Sequence, residues 1–384
     1  MLRRVLVAAG LLAGLFACIP AALASVAGTA ERTASFDGRV ETIAVRGTTV
    51  YVGGRFTHAT DVGGRVVARS HLAAVDATTG DLLPWNPGAN KDVYALTVVG
   101  ATVYAGGDFS TAGGGARNRL AALDAGSGAA LAWNHRADGR VRALDASPTR
   151  LYAGGQFTSV DGASRSRLAA FSLAGGNLDG AWTPAADDTV FAVRVSPAAD
   201  RVYVGGSFPT LDGAANHGYF GAVDPASGDV DAAFRGRIRY KVSDVAVTAD
   251  GVYVAGDGSG GHLVAFRPDG SLKFPTVQTD GGAQAVAVLD GEVYVGGHWD
   301  NVCLTGNVTG GTGGGFVCSG PQATRHKLLS VDEQSGAVTD WNPGADSPLG
   351  VFALAATPAT GTLEAGGDFT RVHQQSHPHF AQFG

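Results

Sequence analysis

Six residues that carry or can take up positive charge, His71, Arg119, Arg167, His262, Lys327 and His379, each stand directly before a short apolar segment of one recurring type, and Tyr219 holds the equivalent place in a seventh. Each follows the longest connection of its repeat, so the spacing predicts that all emerge at one end of the fold, where connections carry binding groups. A circle of cations there would gather an anionic ligand such as an acidic cell-surface or extracellular polymer. The weightier structural alternative pairs each with a nearby carboxylate such as Asp108 or Asp368, so that it only holds its own segment. His373, His377 and His379 form His-x-x-x-His-x-His. In extended chain His377 and His379 project to one side and would take zinc if a third ligand stood near, although a solvated loop fits better because metal sites need three or four convergent groups. Cys303 and Cys318, an even pair in an exported chain, predict a disulfide that staples the loop of Gly, Thr and Asn between them.

Motifs for catalysis are few. Gly-x-Ser-x-Gly is missing, and Gly256-Asp257-Gly258-Ser259-Gly260 has the wrong spacing for a nucleophile elbow. Gly310 to Gly315 is glycine-rich but lies between the cysteines with no helix to follow, so it is no phosphate cradle. No catalytic residue is nominated and no cofactor is implied. Asp-x-x-Thr/Ser-Gly, at Asp76, Asp124, Asp224 and Asp332, reads as turn chemistry: the carboxylate accepts backbone N–H groups while Gly takes positive φ. Asn307-Val308-Thr309 fits a glycosylation acceptor. The formal net charge of −6 removes the basic footprint that nucleic-acid binding needs.

These residues are placed by a repeat. Tyr-x-Gly-Gly-x-Phe occurs from Tyr51, Tyr104, Tyr152 and Tyr203, weakens at Tyr253, and returns as Tyr294 to Trp299 and Glu364 to Phe369. The mean period of about 52 residues lies in the range of propeller blades. Each repeat divides into four short strands. Strand a lies at 40–45, 93–98, 141–146, 190–195, 242–247, 283–288 and 351–356; strand b holds the glycine pair. Strand c lies at 72–76, 120–124, 168–172, 220–224, 263–267, 328–332 and 380–384, and strand d ends near Trp85, Trp133, Trp182, Phe234, Phe274 or Trp341. Most strands are apolar or small on both faces, as sheets packed on both sides require. The paired glycines predict close approach by an adjacent strand.

The expected fold is therefore all-β: a seven-bladed β-propeller of four-stranded antiparallel blades. The last repeat lacks strand d, and Thr33 to Phe36 are expected to supply it, with Phe36 preceding strand a as Trp85 precedes Val93, so that an N-terminal strand completes the last blade and closes the ring. Strand a then lines a central funnel through Glu41, Tyr94, Arg142, Phe191, Ser243, Gln284 and Phe352.

The segments Tyr-Val-Gly-Gly-x-Phe-Thr, Arg-Leu-Ala-Ala-x-Asp-x-x-Thr-Gly and Trp-Asn-Pro resemble those of the delta-60 repeat propellers of secreted bacterial proteins, across nearly the whole chain. The repeats are also similar to kelch repeats and to the tryptophan-docking motif of quinoprotein dehydrogenases, but Ala74 to Trp85 is one residue too long and no adjacent cysteine pair exists for the quinone. The resemblance implies an extracellular propeller and no particular activity.

Arg3-Arg4, the apolar run Val5 to Ala17 and Ala22-Leu23-Ala24 match a secretory leader over 1–24 cleaved after Ala24, leaving 25–384 as one domain with a loop insertion at about 298–327. Lipoprotein anchoring through Cys18 is the weaker alternative, because Phe16 fits that motif poorly. The apolar run is too short to span a bilayer, so no transmembrane span is expected in the mature chain. Function is read as a secreted, non-catalytic binding or interaction propeller. The alternative is an extracellular lyase, glycosidase or oxidoreductase with its site in the funnel; a third reading is a structural spacer.

Overall fold

The computed structural model describes residues 26–305, 308–310 and 316–384. The expected leader, with Cys18, and Asn307 lie outside them. Among the described residues the only helical element is a short 3-10 turn at Ala215–His217, and no helix is long and apolar enough to cross a membrane.

Among the described residues seven antiparallel meanders follow one another, each running from an inner strand through a middle strand to a third. The inner strands are Val40–Arg46, Val93–Val99, Val141–Ala146, Val190–Val195, Lys241–Val247, Ala283–Leu289 and Val351–Thr357. They pack on one another in chain order, and Val40–Arg46 packs against both Val93–Val99 and Val351–Thr357. The seven hydrophobic clusters straddle neighbouring sheets; one joins Phe36, Val40 and Val52 to Phe380.

The first glycine of each middle-strand pair explains how the sheets come so close. A methyl at Gly106 would stand 2.5 Å from Cγ1 of Val141, and one at Gly296 2.6 Å from Cγ1 of Val351. Gly366 faces Val40 in the same way. Each glycine thus seats the valine that opens the next inner strand, where any side chain would overpack. At the fifth interface the volume is exchanged rather than lost: Ala255 replaces the glycine, Ala283 replaces the valine, and both are buried in one cluster.

Aromatic residues bind the sheets farther out. Tyr51 meets Trp85 edge-on at 5.0 Å and Tyr294 meets Trp341 at 5.0 Å, while the Trp85 indole N–H donates to the Asp124 carbonyl at 3.0 Å and that of Trp182 to the Asp224 carbonyl at 3.1 Å. Outside the fifth sheet, where Val277–Thr279 pairs with Gly261–Leu263 as a fourth strand, this docking corrects the expected fourth strand. After the Asp turn the segment makes a single bridge to the third strand, such as Val75 to Leu82 or Leu123 to Ala130, and then leaves the ladder to deliver its tryptophan to the next sheet. The Asp turns themselves form as expected: Asp76 accepts the N–H groups of Thr78 and Thr79 at 2.8 and 3.1 Å, with Gly80 at φ 72°.

Cys303 and Cys318 are bonded, as their spacing predicted, with Cα atoms 5.6 Å apart. The insertion does not hang free. Asn301–Cys303 and Gln322–Thr324 pair with each other and, through Val277–Thr279, extend the fifth sheet to six strands.

The N-terminal segment lies along the last sheet. Ala27 N–H donates to the Gly384 carbonyl at 2.8 Å, Glu31 N–H to the Gln382 carbonyl at 2.7 Å, and the Trp341 indole to the Ala27 carbonyl at 3.2 Å. One detail of the expected register is corrected. Phe36 N–H donates to the Pro378 carbonyl as Ala89 N–H does to Ser70 and Ala137 N–H to Asn118, so Phe36 occupies the place of Ala89 and not that of Trp85.

Glu364 stands where six repeats have tyrosine. It is fully buried, accepts from Thr357 and Thr362 at 3.2 and 2.8 Å, and leaves Oε2 without a partner among the described residues. Burial pushes its carboxyl up to about 7, against the two threonine hydrogen bonds and with Glu31 adding to the rise. The folded protein therefore holds a proton that the unfolded chain, at the usual 4.5, gives up earlier. The resulting stabilisation is complete below about pH 4.5 and is lost as pH rises through about 7. In thermal melts from about pH 5 to about pH 8, Tm of the wild type should fall relative to that of Glu364→Gln, which should be a few degrees the higher at the alkaline end. Parallel slopes would show that Glu364 does not titrate there.

Candidate functional site

At the head of every inner strand the ladder skips one residue. The register shifts between Val40 and Thr42, Val93 and Ala95, Val141 and Ala143, Val190 and Ala192, Val242 and Asp244, Ala283 and Ala285, and Val351 and Ala353. The skipped residues are Glu41, Tyr94, Arg142, Phe191, Ser243, Gln284 and Phe352, the positions assigned to the funnel from the sequence. A bulge bends its strand and re-aims the unpaired side chain. All seven line one cavity of about 260 Å³. The second glycine of the middle strand makes room for the bulge: a Cβ at Gly54, Gly107 or Gly155 would collide with the carbonyl of Arg39, Asp92 or Arg140, the residue that enters the inner strand.

Arg39, Arg55, Arg142, Arg194 and Lys241 line the cavity against only two carboxylates, Glu41 and Asp244. Most of the charge is neutralised locally. Glu41 lies 2.5 Å from Arg55 Nε and 3.1 Å from Arg39 Nε, and Asp244 lies 2.9 Å from Arg194 Nη2 while accepting the N–H groups of Val245 and Val286. Lys241 stands 3.4 Å from Asp257. Arg142 is different. Among the described residues it has no ion pair, and its buried Nε has no hydrogen-bond partner. Its guanidinium carbon lies 4.8 Å from the Tyr94 ring centre and 5.4 Å from that of Phe191. Burial lowers its pKa, opposed by Tyr94 and Glu41 and reinforced by Arg140 and Arg55, yet a guanidinium stays charged at any physiological pH. Cation–π contact stabilises it only in part, which leaves it the one lining cation without a carboxylate among the described residues.

The residues before the third strands have a backbone task. His71, Arg119, Arg167, Lys327 and His379 share with Tyr219 a left-handed conformation, φ 65° to 70°. Each donates its N–H to the carbonyl of the aromatic residue after the glycine pair, as His71 does to Phe56 and Lys327 to Trp299. Their side chains are partly committed. Lys327 Nζ is 2.5 Å from Asp300, Arg119 Nη1 donates to the Ala137 carbonyl at 2.9 Å, and Arg167 Nη1 to that of Phe157 at 3.3 Å. Nδ1 of His71 and of His379 lies 3.0 and 3.1 Å from the Gly54 and Gly367 carbonyls. His262 departs from the set: it lies within Gly260–Phe266, buried and stacked on Tyr240 at 4.2 Å, and burial lowers its pKa. One of the six connects to a lining residue: Asp92 stands between His71, at 3.9 Å, and Arg55, at 3.5 Å. Asp108 stands between Arg119, at 4.0 Å, and Arg140, at 2.6 Å, whose guanidinium carbon lies 5.9 Å from the centre of the lining Tyr94 ring.

The three histidines near the C-terminus are not brought together. His373 and Gln374 make the positive-φ turn between Arg371–Val372 and Gln375–Ser376, His377 is buried, and His379 is held at Gly367. Among the described residues no group of three or more His, Cys, Asp or Glu side chains could hold a metal ion. Sequence reading missed Arg39, Arg55, Lys241, Arg194 and Asp244. The first three had a signal, for they flank the bulge: Arg39 and Lys241 directly precede an inner valine, and Arg55 is the variable residue of Gly-Gly-x-Phe.

No family model matches the chain, and no curated protein matches it. Solved structures do. The WD40 β-propeller domain of Doa1 superposes with a TM-score of 0.58 at 10% identity, covering 92% of this chain and 96% of that one. This chain has a β-propeller fold. The computationally designed Ika8 protein gives a TM-score of 0.55 at 14% identity, covering 92% of this chain and 99% of that one. Identities this low establish the propeller architecture alone.

Arg142 offers a test of whether the cavity is built for stability or for a ligand. A desolvated, unpaired cation contributes little to folding, so Arg142→Leu should leave Tm unchanged or raise it by a few degrees in calorimetry. A loss of more than about 2 kcal/mol would mark the guanidinium as a structural support instead.

Proposed function

We propose that this protein is an extracellular, non-catalytic binding propeller that recognises an acidic polymer at the end of the molecule where its central cavity opens. The observation that carries the reading is Arg142, a charged guanidinium without a carboxylate, held between Tyr94 and Phe191 among lining groups that are richer in cations than in acids. Binding rather than hydrolysis fits the two lining carboxylates, since Glu41 and Asp244 are each engaged by arginine. The disulfide between Cys303 and Cys318 fits an oxidising, extracellular setting. The cationic residues before the third strands, Arg119 and His71 in particular, would extend the attraction outward through Asp108 and Asp92.

The same reading takes the seven meanders as seven blades of one ring, with residues 26–36 acting as the missing edge of the last. The hydrogen bonds from Ala27 and Glu31 to Gly384 and Gln382 support this, as does Gly366 seating Val40. A rigid closed ring fixes the bulge residues of different blades around one axis, which a flexible array could not do.

Polygalacturonate binding, followed by calorimetry at low and at high salt, tests the function. Wild-type protein should bind with an affinity that falls as salt rises, and Arg142→Ala should weaken it about tenfold or more, as loss of a charge-assisted hydrogen bond predicts. Equal binding by wild type and variant would remove the cavity from the reading. Ring closure is tested separately: deletion of residues 26–36 should abolish cooperative unfolding or drive aggregation, and a truncated protein with the wild-type Tm would refute it.

A further inference from the structure

Buried polar atoms without a hydrogen-bond partner occur at several places among the described residues, and a few of them belong to residues that line the cavity. Besides Arg142 Nε, the oxygens Ser243 Oγ and Gln284 Oε1 are buried without a hydrogen-bond partner, and both residues line the same cavity as Arg142. Buried polar groups are nearly always satisfied, because leaving one unmade costs its full desolvation. Three such atoms around one cavity, each from a different sheet, therefore describe groups left for a ligand to satisfy. In ring order Arg142, Phe191, Ser243 and Gln284 are the bulge residues of four successive sheets, so a cation, an apolar face, a hydroxyl and an amide follow one another around the cavity.

Resting on the binding function above, we infer that the group taken into the cavity is a hydroxylated carboxylate of sugar-ring size, the terminal sugar-acid unit of an acidic glycan. The carboxylate meets the Arg142 guanidinium, whose planar donors match a carboxylate's two oxygens. Phe191, with Arg142 and Lys241 5.4 and 5.3 Å from its ring centre, supplies apolar ring surface beside those cations against which the C–H side of a sugar ring packs. Neighbouring hydroxyls meet Ser243 and Gln284. A hydroxyl both donates and accepts, so it satisfies the Gln284 amide whichever end is turned inward, and a half-turn of that amide or a rotation of the Ser243 hydroxyl brings either group to the ligand. A simple carboxylate or sulfate would leave those two groups unpaired, and a neutral sugar would leave Arg142 unpaired. The volume of about 260 Å³ is below the usual range for small-molecule sites, which limits entry to one ring and hence to a chain end.

Calorimetric titration of the whole protein with galacturonate, galactose and acetate tests this, beside wild-type, Arg142→Gln, Ser243→Ala and Gln284→Leu proteins whose folding is checked by thermal melts. Galacturonate should bind about tenfold or more tighter than galactose or acetate. Arg142→Gln should remove that preference over galactose, while Ser243→Ala and Gln284→Leu should each weaken galacturonate about tenfold and leave acetate unchanged. Polygalacturonate should take up one protein per chain. If acetate equals galacturonate, if neither Ser243→Ala nor Gln284→Leu changes the affinity, or if many proteins load on one chain, the sugar-acid inference falls while Arg142-dependent polymer binding still stands. If polymer binding is also indifferent to Arg142, the cavity drops out of the binding reading as well.

Discussion

Steric room at two adjacent glycines governs this molecule. The first, as at Gly106 and Gly296, admits the valine of the following sheet; the second, as at Gly54 and Gly155, admits a carbonyl from its own inner strand and so permits the bulge. One dipeptide thereby sets both how tightly neighbouring sheets pack and which way one side chain per sheet is turned. Everything functional here depends on that coupling. Without the valine contact the sheets would not hold a common axis, and without the bulge Arg142 and its six counterparts would lie in the ladder and not in the cavity.

Electrostatics then separates the lining cations that are paired with carboxylates from the one that is not. Glu41, Asp244 and Asp257 bind the cavity's other cations, and Asp92 bridges the lining Arg55 to His71 before a third strand. These pairs are partly solvated and each contributes modestly to stability. Their effect is to quench most of the positive field, so that the charge of one guanidinium between two rings dominates inside the cavity.

Repetition made the architecture legible in the sequence, because seven imperfect copies show which positions are backbone requirements and which vary. The variable second residue of the inner strand was correctly placed in the central lining, and the Asp turns and the disulfide form as read. The cationic residues before the third strands were harder. Their common spacing is real, but it reflects a shared left-handed corner, which a one-dimensional pattern does not distinguish from a shared ligand. His262 broke the series because Gly258 to Gly261 shortens its connection and draws it into a continuous strand. Phe36 was aligned with Trp85 on aromatic character, whereas backbone pairing puts it level with Ala89. Arg194 and Asp244 carried no local signal at all, since they meet only after two inner strands pack side by side.

The stapled insertion has a consequence for where the fifth sheet ends. Asn301–Cys303 and Gln322–Thr324 continue the fifth sheet outward, so its open margin lies on Gln322–Thr324, in the segment that the cysteine bridge ties down, rather than on the propeller body.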